Sequence, residues 1–271
     1  MFKEIVVIRS GGEIGTAVAH KLHSCGFKVL ILEVEAPSFI RSEVAFAKAI
    51  YEGEASVEGT IAVKVNSENE INTSWSKGIV PIMIDPDCTI LNKINVQVVV
   101  DATLAKRNMG TNKRMAPVTI ALGPGYEAGV DVDVVIETNR GHNLGRLILK
   151  GCSERNTGIP GNIMGYTEER VLRAPAKGRI KTLVAIGEAV KKGQIVAYVE
   201  SQEVKANIDG VLRGIIKEGF IVEEGQKIGD IDPRGIREYC YTISDKGRAI
   251  AGGVLEAILI KLGYITTAKG R

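Results

Sequence analysis

The stretch Ile5-Val6-Val7-Ile8-Arg9-Ser10-Gly11-Gly12-Glu13-Ile14-Gly15, followed by Lys28-Val29-Leu30-Ile31-Leu32-Glu33, decides how the first half of the chain is read. Four β-branched residues in a row predict a strand buried on both faces, and a glycine turn then interrupts them. Ile14, Ala17, Val18 and Leu22 share one helical face, and Lys28–Glu33 resumes a buried strand that ends in a carboxylate. This is the layout of a dinucleotide-binding unit, whose glycines let backbone N–H groups approach a pyrophosphate at the positive end of a helix. Candidate cofactor-binding residues are therefore Arg9, Ser10, Gly11, Gly12, Glu13, Ile14 and Gly15, with Glu33 placed for a ribose 2′-hydroxyl. Serine stands where the first glycine of G-x-G-x-x-G belongs, and the alternative is a scaffold of the same shape without a nucleotide.

Composition narrows the function classes. The chain has 271 residues, 45% of them hydrophobic, and a formal charge of +3. That is length enough for two domains with real cores. No basic run with interleaved aromatics points to nucleic acid, and no apolar stretch is long enough to cross a bilayer. Met1 leads directly into a strand, so a cytoplasmic protein is expected. Cys25, Cys88, Cys152 and Cys240 lie far apart without C-x-x-C spacing, which argues against a metal site or a disulfide framework.

Working outward, a helix is expected from about Arg41 to Glu52, with strands at Thr60–Val65, Ile79–Asp85 and Val96–Asp101. Pro81 points to an edge strand or a bulge. The alternation predicts an α/β fold, a Rossmann-like parallel sheet over 1–112 covered on both faces. Arg9, Glu33, Asp85 and Asp101 then end strands on one rim, as a polar site or as ordinary strand-terminating residues. Residues 113–168 read as a β and loop segment. Gly123 and Gly125 flank Pro124 in a loop that a ligand can approach closely, and Arg140, His142 and Arg146 form an anion clamp between glycines. The alternative for that clamp is a hairpin connection whose arginines pair with Glu137 or solvent.

These stretches, together with Ala45-Phe46-Ala47-Lys48-Ala49-Ile50-Tyr51-Glu52-Gly53-Glu54, Ala121-Leu122-Gly123-Pro124-Gly125 and Glu137-Thr138-Asn139-Arg140-Gly141-His142-Asn143-Leu144-Gly145-Arg146, resemble the YqeB family of selenium-dependent molybdenum hydroxylase system proteins. The resemblance covers nearly the whole chain. It implies an accessory protein that matures selenium-dependent molybdenum hydroxylases, with a client hydroxylase or other maturation factors as partners, and it supplies no catalytic residue. A nucleotide such as NAD, or the molybdenum cofactor, then suits the glycine turn and the arginines. An NAD-dependent oxidoreductase and a non-catalytic docking scaffold are the competing readings. A selenium adduct on Cys152 is a further expectation of the pathway.

The second half repeats itself. Ala174, Gly178, Gly187, Val190, Gly193 and Gln194 recur at a constant offset as Ala206, Gly210, Gly219, Val222, Gly225 and Gln226. Residues 169–233 therefore resemble the barrel-sandwich hybrid of biotinyl and lipoyl carriers. Lys205 corresponds to Arg173 and not to a hairpin tip, so no covalent biotin or lipoate is expected. Over 234–271, Ala251, Val254, Leu255, Ile258, Leu259 and Leu262 predict a helix from about Asp245 to Leu262. Gly252 and Gly253 within it call for a close partner, either the first domain or a second copy in a homo-oligomer.

Overall fold

The computed structural model describes residues 2–265. The chain divides into two compact units that are interleaved in sequence. Unit 1 comprises Met1–Pro37, Phe46–Asn156 and Ser244–Arg271, and unit 2 comprises Ser38–Ala45 and Thr157–Ile243. This division differs from the four consecutive segments expected, because long-range packing gathers separate stretches.

Unit 1 contains β1 (Ile5–Arg9), α1 (Glu13–Ser24), β2 (Lys28–Glu33), α2 (Ala49–Glu52), β3 (Glu54–Val57), β4 (Thr60–Lys64), α3 (Glu68–Ser76), β5 (Val80–Ile84) and β6 (Val98–Asp101). It continues with β7 (Val118–Leu122), β8 (Glu127–Ala128), β9 (Val134–Ile136), β10 (Leu147–Ile148) and β11 (Gly151–Cys152), and ends with α4 (Asp245–Lys261). Nine strands form one sheet in the order β10-β9-β7-β6-β1-β2-β5-β4-β3. The strands from β9 to β4 pair in parallel, whereas β10 and β3 pair antiparallel at the two edges.

The expected Rossmann-like parallel sheet is therefore corrected to a mixed one. The strict strand–helix alternation also fails. Between β2 and β4 the chain makes short 3₁₀ turns, the four-residue α2 and the first strand of a β3–β4 hairpin, α3 alone separates β4 from β5, and between β6 and β7 there is only a loop. The helix expected over 41–52 breaks into Ser42–Val44, Phe46–Lys48 and α2. Glu58 (φ 46) and Gly59 (φ 81) supply the left-handed pair that a tight hairpin turn requires. Pro81 is not at an edge, since β5 pairs with both β2 and β4. The ladder to β2 begins at Ile82, one residue past the missing N–H, so the proline costs no bond there.

The C-terminal helix belongs to unit 1. It buries Ile250, Ala251, Val254, Ala257 and Ile258 and packs against α1, β7 and β9. Ser244 caps it, accepting from the Gly247 N–H at 3.2 Å. Gly253 faces the Gly145 carbonyl so closely that a Cβ there would overlap it, which accounts for one of the paired glycines. Among the described residues nothing comparable approaches Gly252.

Unit 2 contains β12 (Val171–Arg173), β13 (Gly178–Thr182), β14 (Ala189–Val190), β15 (Ile195–Val199), β16 (Gln202–Lys205), β17 (Gly210–Ile215), β18 (Ile221–Val222) and β19 (Lys227–Asp232). They form two four-stranded antiparallel sheets, β12-β19-β17-β14 and β16-β15-β13-β18. Each sheet takes a strand from the other copy of the repeat, so β14 joins β17 and β18 joins β13. Leu172, Ile180, Val196, Leu212, Ile228 and Ile231 fill the space between. The repeat is exact at its turns: Gln194 accepts from Lys191 N at 3.0 Å and Gln226 from Glu223 N at 2.9 Å.

The expected barrel-sandwich hybrid domain over residues 169–233 is corrected as well. The unit also draws in Ser38–Ala45 and the flanking stretches of Thr157–Ile243. Arg41, buried, donates to the carbonyls of Tyr239 at 2.7 Å and Thr242 at 3.2 Å, and Gly214 leaves room for the Ile40 carbonyl. The β15–β16 hairpin turns at Glu200 and Ser201, and the Glu200 carboxylate there accepts from the Arg179 N–H at 2.6 Å.

Candidate functional site

The glycine turn after β1 is closed by its own chain. Glu33 is buried, and its carboxylate accepts from the Gly11 N–H at 2.8 Å and from the Val34 N–H at 2.9 Å. The Gly11 carbonyl accepts from Ala47 N at 2.9 Å and from the Thr16 hydroxyl at 2.8 Å, and that hydroxyl accepts from Phe46 N at 2.8 Å. A Cβ on Gly11 would stand 2.9 Å from Ala47 N, and one on Gly15 would overlap the Ser10 carbonyl. These glycines thus serve close backbone packing. Ser10 holds φ 82, a left-handed conformation unusual outside glycine, and its hydroxyl accepts from Gly12 N at 3.3 Å. Ile14 is buried, and Glu13 accepts from the Ser244 hydroxyl at 3.0 Å. Asp85 is likewise turned inward, accepting from Thr89 N at 2.9 Å and Ile90 N at 2.8 Å.

Arg9 and Asp101 meet. They end β1 and β6, neighbouring strands in register, and pair at 3.1 Å with Asp101 fully buried. Arg9 also donates to the Thr111 hydroxyl and to the Pro86 and Met109 carbonyls at 3.4 Å. Asp101 further accepts from Thr103 N at 3.1 Å and from the Thr103 and Thr111 hydroxyls. The loop over 103–114 is thereby tied down to the sheet. Tyr126 packs close by, and burial, reinforced by the Asp101 charge, pushes its hydroxyl pKa up to about 12. Gly125 (φ 108) lets the next loop lie on this one, since a Cβ there would come within 2.5 Å of Arg107 N. Gly123 makes room for Thr138 in the same way.

The Arg140, His142 and Arg146 loop is largely engaged internally. Arg140 forks onto Asp245 at 2.7 and 2.9 Å, a bidentate pair. Glu137 accepts from Asn139 N at 2.7 Å and Glu154 N at 2.8 Å, and Arg146 donates to Asn143 at 3.4 Å. His142 is exposed at the tip. Cys152 is exposed on β11.

The 103–114 loop carries what the sequence reading passed over. Lys106, Arg107 and Arg114 are exposed and, among the described residues, make no side-chain hydrogen bond or ion pair, while Lys113 pairs with Asp133 at 3.4 Å. Met109, 45% exposed, lies between them. The loop leaves the carboxyl end of β6 where the connection from β1 departs to the opposite side, toward β2. Open α/β sheets bind ligands at such reversals of strand order. Leu104 (φ 53) and Lys106 (φ 62) are left-handed, as is Ser10 (φ 82) in the turn after β1. The signal in sequence was four cations within Lys106–Arg114, spread too widely to count as a run. The arrangement can hold an anion, and it contains no nucleophile with an adjacent base.

Among the described residues no helix is long and apolar enough to cross a membrane, and no three His, Cys, Asp or Glu side chains gather as metal ligands. No protein-family model matches the chain. Solved structures similar to it include the product-bound ectoine utilization protein EutE (DoeB) from Ruegeria pomeroyi, 11% identical, with 84% of each chain covered and a TM-score of 0.26. An aspartoacylase family protein from Mesorhizobium loti (12% identical) and a succinylglutamate desuccinylase from Silicibacter sp. TM1040 (14% identical) also match, each over 84% of both chains at a TM-score of 0.26. Likeness this slight carries no argument about chemistry. The sequence itself is 51% identical over 257 residues to the Escherichia coli K12 protein described as uncharacterized protein YqeB. That match covers 95% of this chain and 48% of the relative, so the chain spans about half the length of the curated relative it matches. Over that span the chain belongs to the YqeB family.

Proposed function

We propose that the chain is a cytoplasmic accessory protein in the maturation of selenium-dependent molybdenum hydroxylases, and that it holds a phosphorylated cofactor or nucleotide-bearing precursor at the 103–114 loop. The pathway comes from the family resemblance, and the partners are the client hydroxylase or other maturation factors. The observation that carries the binding reading is the exposed set Lys106, Arg107 and Arg114 on a backbone fastened to half-buried Arg9 and buried Asp101. Guanidinium and ammonium groups fixed at a sheet's ligand rim match phosphate oxygens.

The NAD-dependent oxidoreductase reading leaned on Glu33 and the glycine turn, and both are occupied by internal bonds. That closure favours, as the second reading, a docking scaffold without a nucleotide. Titration calorimetry with molybdenum cofactor, NAD, ADP and pyrophosphate separates the two. Binding that weakens with salt and disappears in a Lys106→Gln, Arg107→Gln, Arg114→Gln triple variant supports the cofactor reading. No binding to any of the four, or binding unchanged in the variant, leaves only the scaffold.

A further inference from the structure

Strand β16 is an open edge of its sheet, paired with β15 alone. Ala206, just past its end, gives its N–H to the Gln194 carbonyl at 2.9 Å and accepts from the Gly193 N–H at 2.8 Å, so both of its polar backbone groups face β15. Facing alternates along an antiparallel strand. The bulge in this pair lies in β15, where Val196 is skipped between Ile195 (opposite Lys205) and Ala197 (opposite Val204), so the alternation along β16 is unbroken. Lys205 and Glu203 therefore turn their N–H and C=O groups outward. Beside them runs a groove of about 510 Å³ that separates β16 from β12, the matching strand of the other repeat. Val171, Leu172 and Val204 line it, and among the described residues the one hydrogen bond across it runs from the Asn207 side chain to the Val171 carbonyl at 3.4 Å. Glu203 and Lys205 lie on one face of the strand, 43% and 53% exposed, and hold each other at 2.7 Å.

We propose that β16 is a self-recognition edge, on which a second copy of this chain adds its own β16 in antiparallel fashion to make a two-fold dimer. Two independent conditions select the register. Backbone bonding requires each outward-facing residue to meet another, so the two-fold axis passes through a residue and not between two. An axis at Glu203 or at Lys205 would set like charges directly opposite each other, which is destabilising. An axis at Val204 sets Glu203 against Lys205 of the second copy, and Lys205 against its Glu203. Each facing pair then exchanges both backbone bonds and brings opposite charges together. Charged side chains on an edge ordinarily keep other strands away, and this pattern makes an exception for its own copy. An edge of four residues is a small contact, so the dimer is a weak one. The surface is independent of the anion-binding loop and stands or falls without it.

Sedimentation velocity of the full chain under reducing conditions, from about 10 μM to about 1 mM, tests the assignment. The unaltered chain is expected to pass from monomer toward dimer within that range. Glu203→Lys and Lys205→Glu each set like charges opposite at both facing pairs, and each should weaken the association about tenfold. Both changes made in one chain should restore it, because opposite charges face each other again. Both side chains are exposed, so circular dichroism should show the same monomer fold in every variant. A chain that stays monomeric to about 1 mM, a dimer indifferent to the single reversals, or a double reversal as weak as the single ones overturns the proposal.

Discussion

The loops that follow β1 and β6 start from paired residues, Arg9 and Asp101, yet they spend their polar groups in opposite directions. The glycine turn after β1 faces inward. Its Gly11 N–H is taken by Glu33, its Gly11 carbonyl by Ala47 and Thr16, and its glycines by backbone packing. The loop after β6 keeps its polar backbone against Arg9 and Asn108 and sends three cations outward. A glycine pattern therefore says only that backbone comes close to something, and in this chain the something is the chain itself.

The contrast can be broken most severely at its shared root. Asp101→Asn leaves the Arg9 guanidinium largely buried without its counter-charge and should cost about 3 kcal/mol in urea unfolding, with earlier proteolysis in the 103–114 loop. Gly15→Ala should cost about 2 kcal/mol, since the added methyl overlaps the Ser10 carbonyl in a turn with no slack. A loss near zero would mean that the turn is looser than its bonds suggest. Glu33→Gln should cost about 1 kcal/mol, because one amide oxygen replaces a carboxylate that accepts two backbone N–H bonds. The same variant should leave any nucleotide affinity unchanged, and a large drop would reopen the inward-facing turn as a binding element.

Two smaller effects sharpen the outward-facing side. Thr119 and Lys113 lower the Asp133 pKa despite its partial burial, so the contribution of this aspartate is complete above about pH 3.9 and is lost as pH falls through the lower folded value. Hydrogen exchange around Lys113 should therefore rise only in that acid window. The triple replacement of Lys106, Arg107 and Arg114 by glutamine should move stability by less than about 0.5 kcal/mol, as exposed and unpaired side chains carry little of it. A large destabilisation would show that these cations have partners in solution.

Some of this was legible before any coordinates. The repeat could be read because Gly178 and Gly210 share φ 159, and Gly193 and Gly225 (φ 86 and 75) both turn where side chains would strain. Left-handed turns leave glycine in the sequence at matching places. The last helix was legible from its apolar spacing. What stayed hidden depended on partners far along the chain. Ala47 closing on Gly11, Ser244 reaching Glu13 and Asp245 pairing with Arg140 are not local facts. The antiparallel edge strands were hidden for a related reason, since β10 has two residues and the β3–β4 turn uses Glu58, a residue that does not announce a left-handed position.

The interleaving of the two units sets the order in which they can be completed on the ribosome. The chain passes from one unit to the other four times, at 37/38, 45/46, 156/157 and 243/244. Unit 2 is complete once Ile243 has emerged, whereas β7 and β9 wait for α4 to cover them. The face formed by β7 and β9 is thus uncovered throughout synthesis of the repeat, and a chaperone acting on this protein would find its work there.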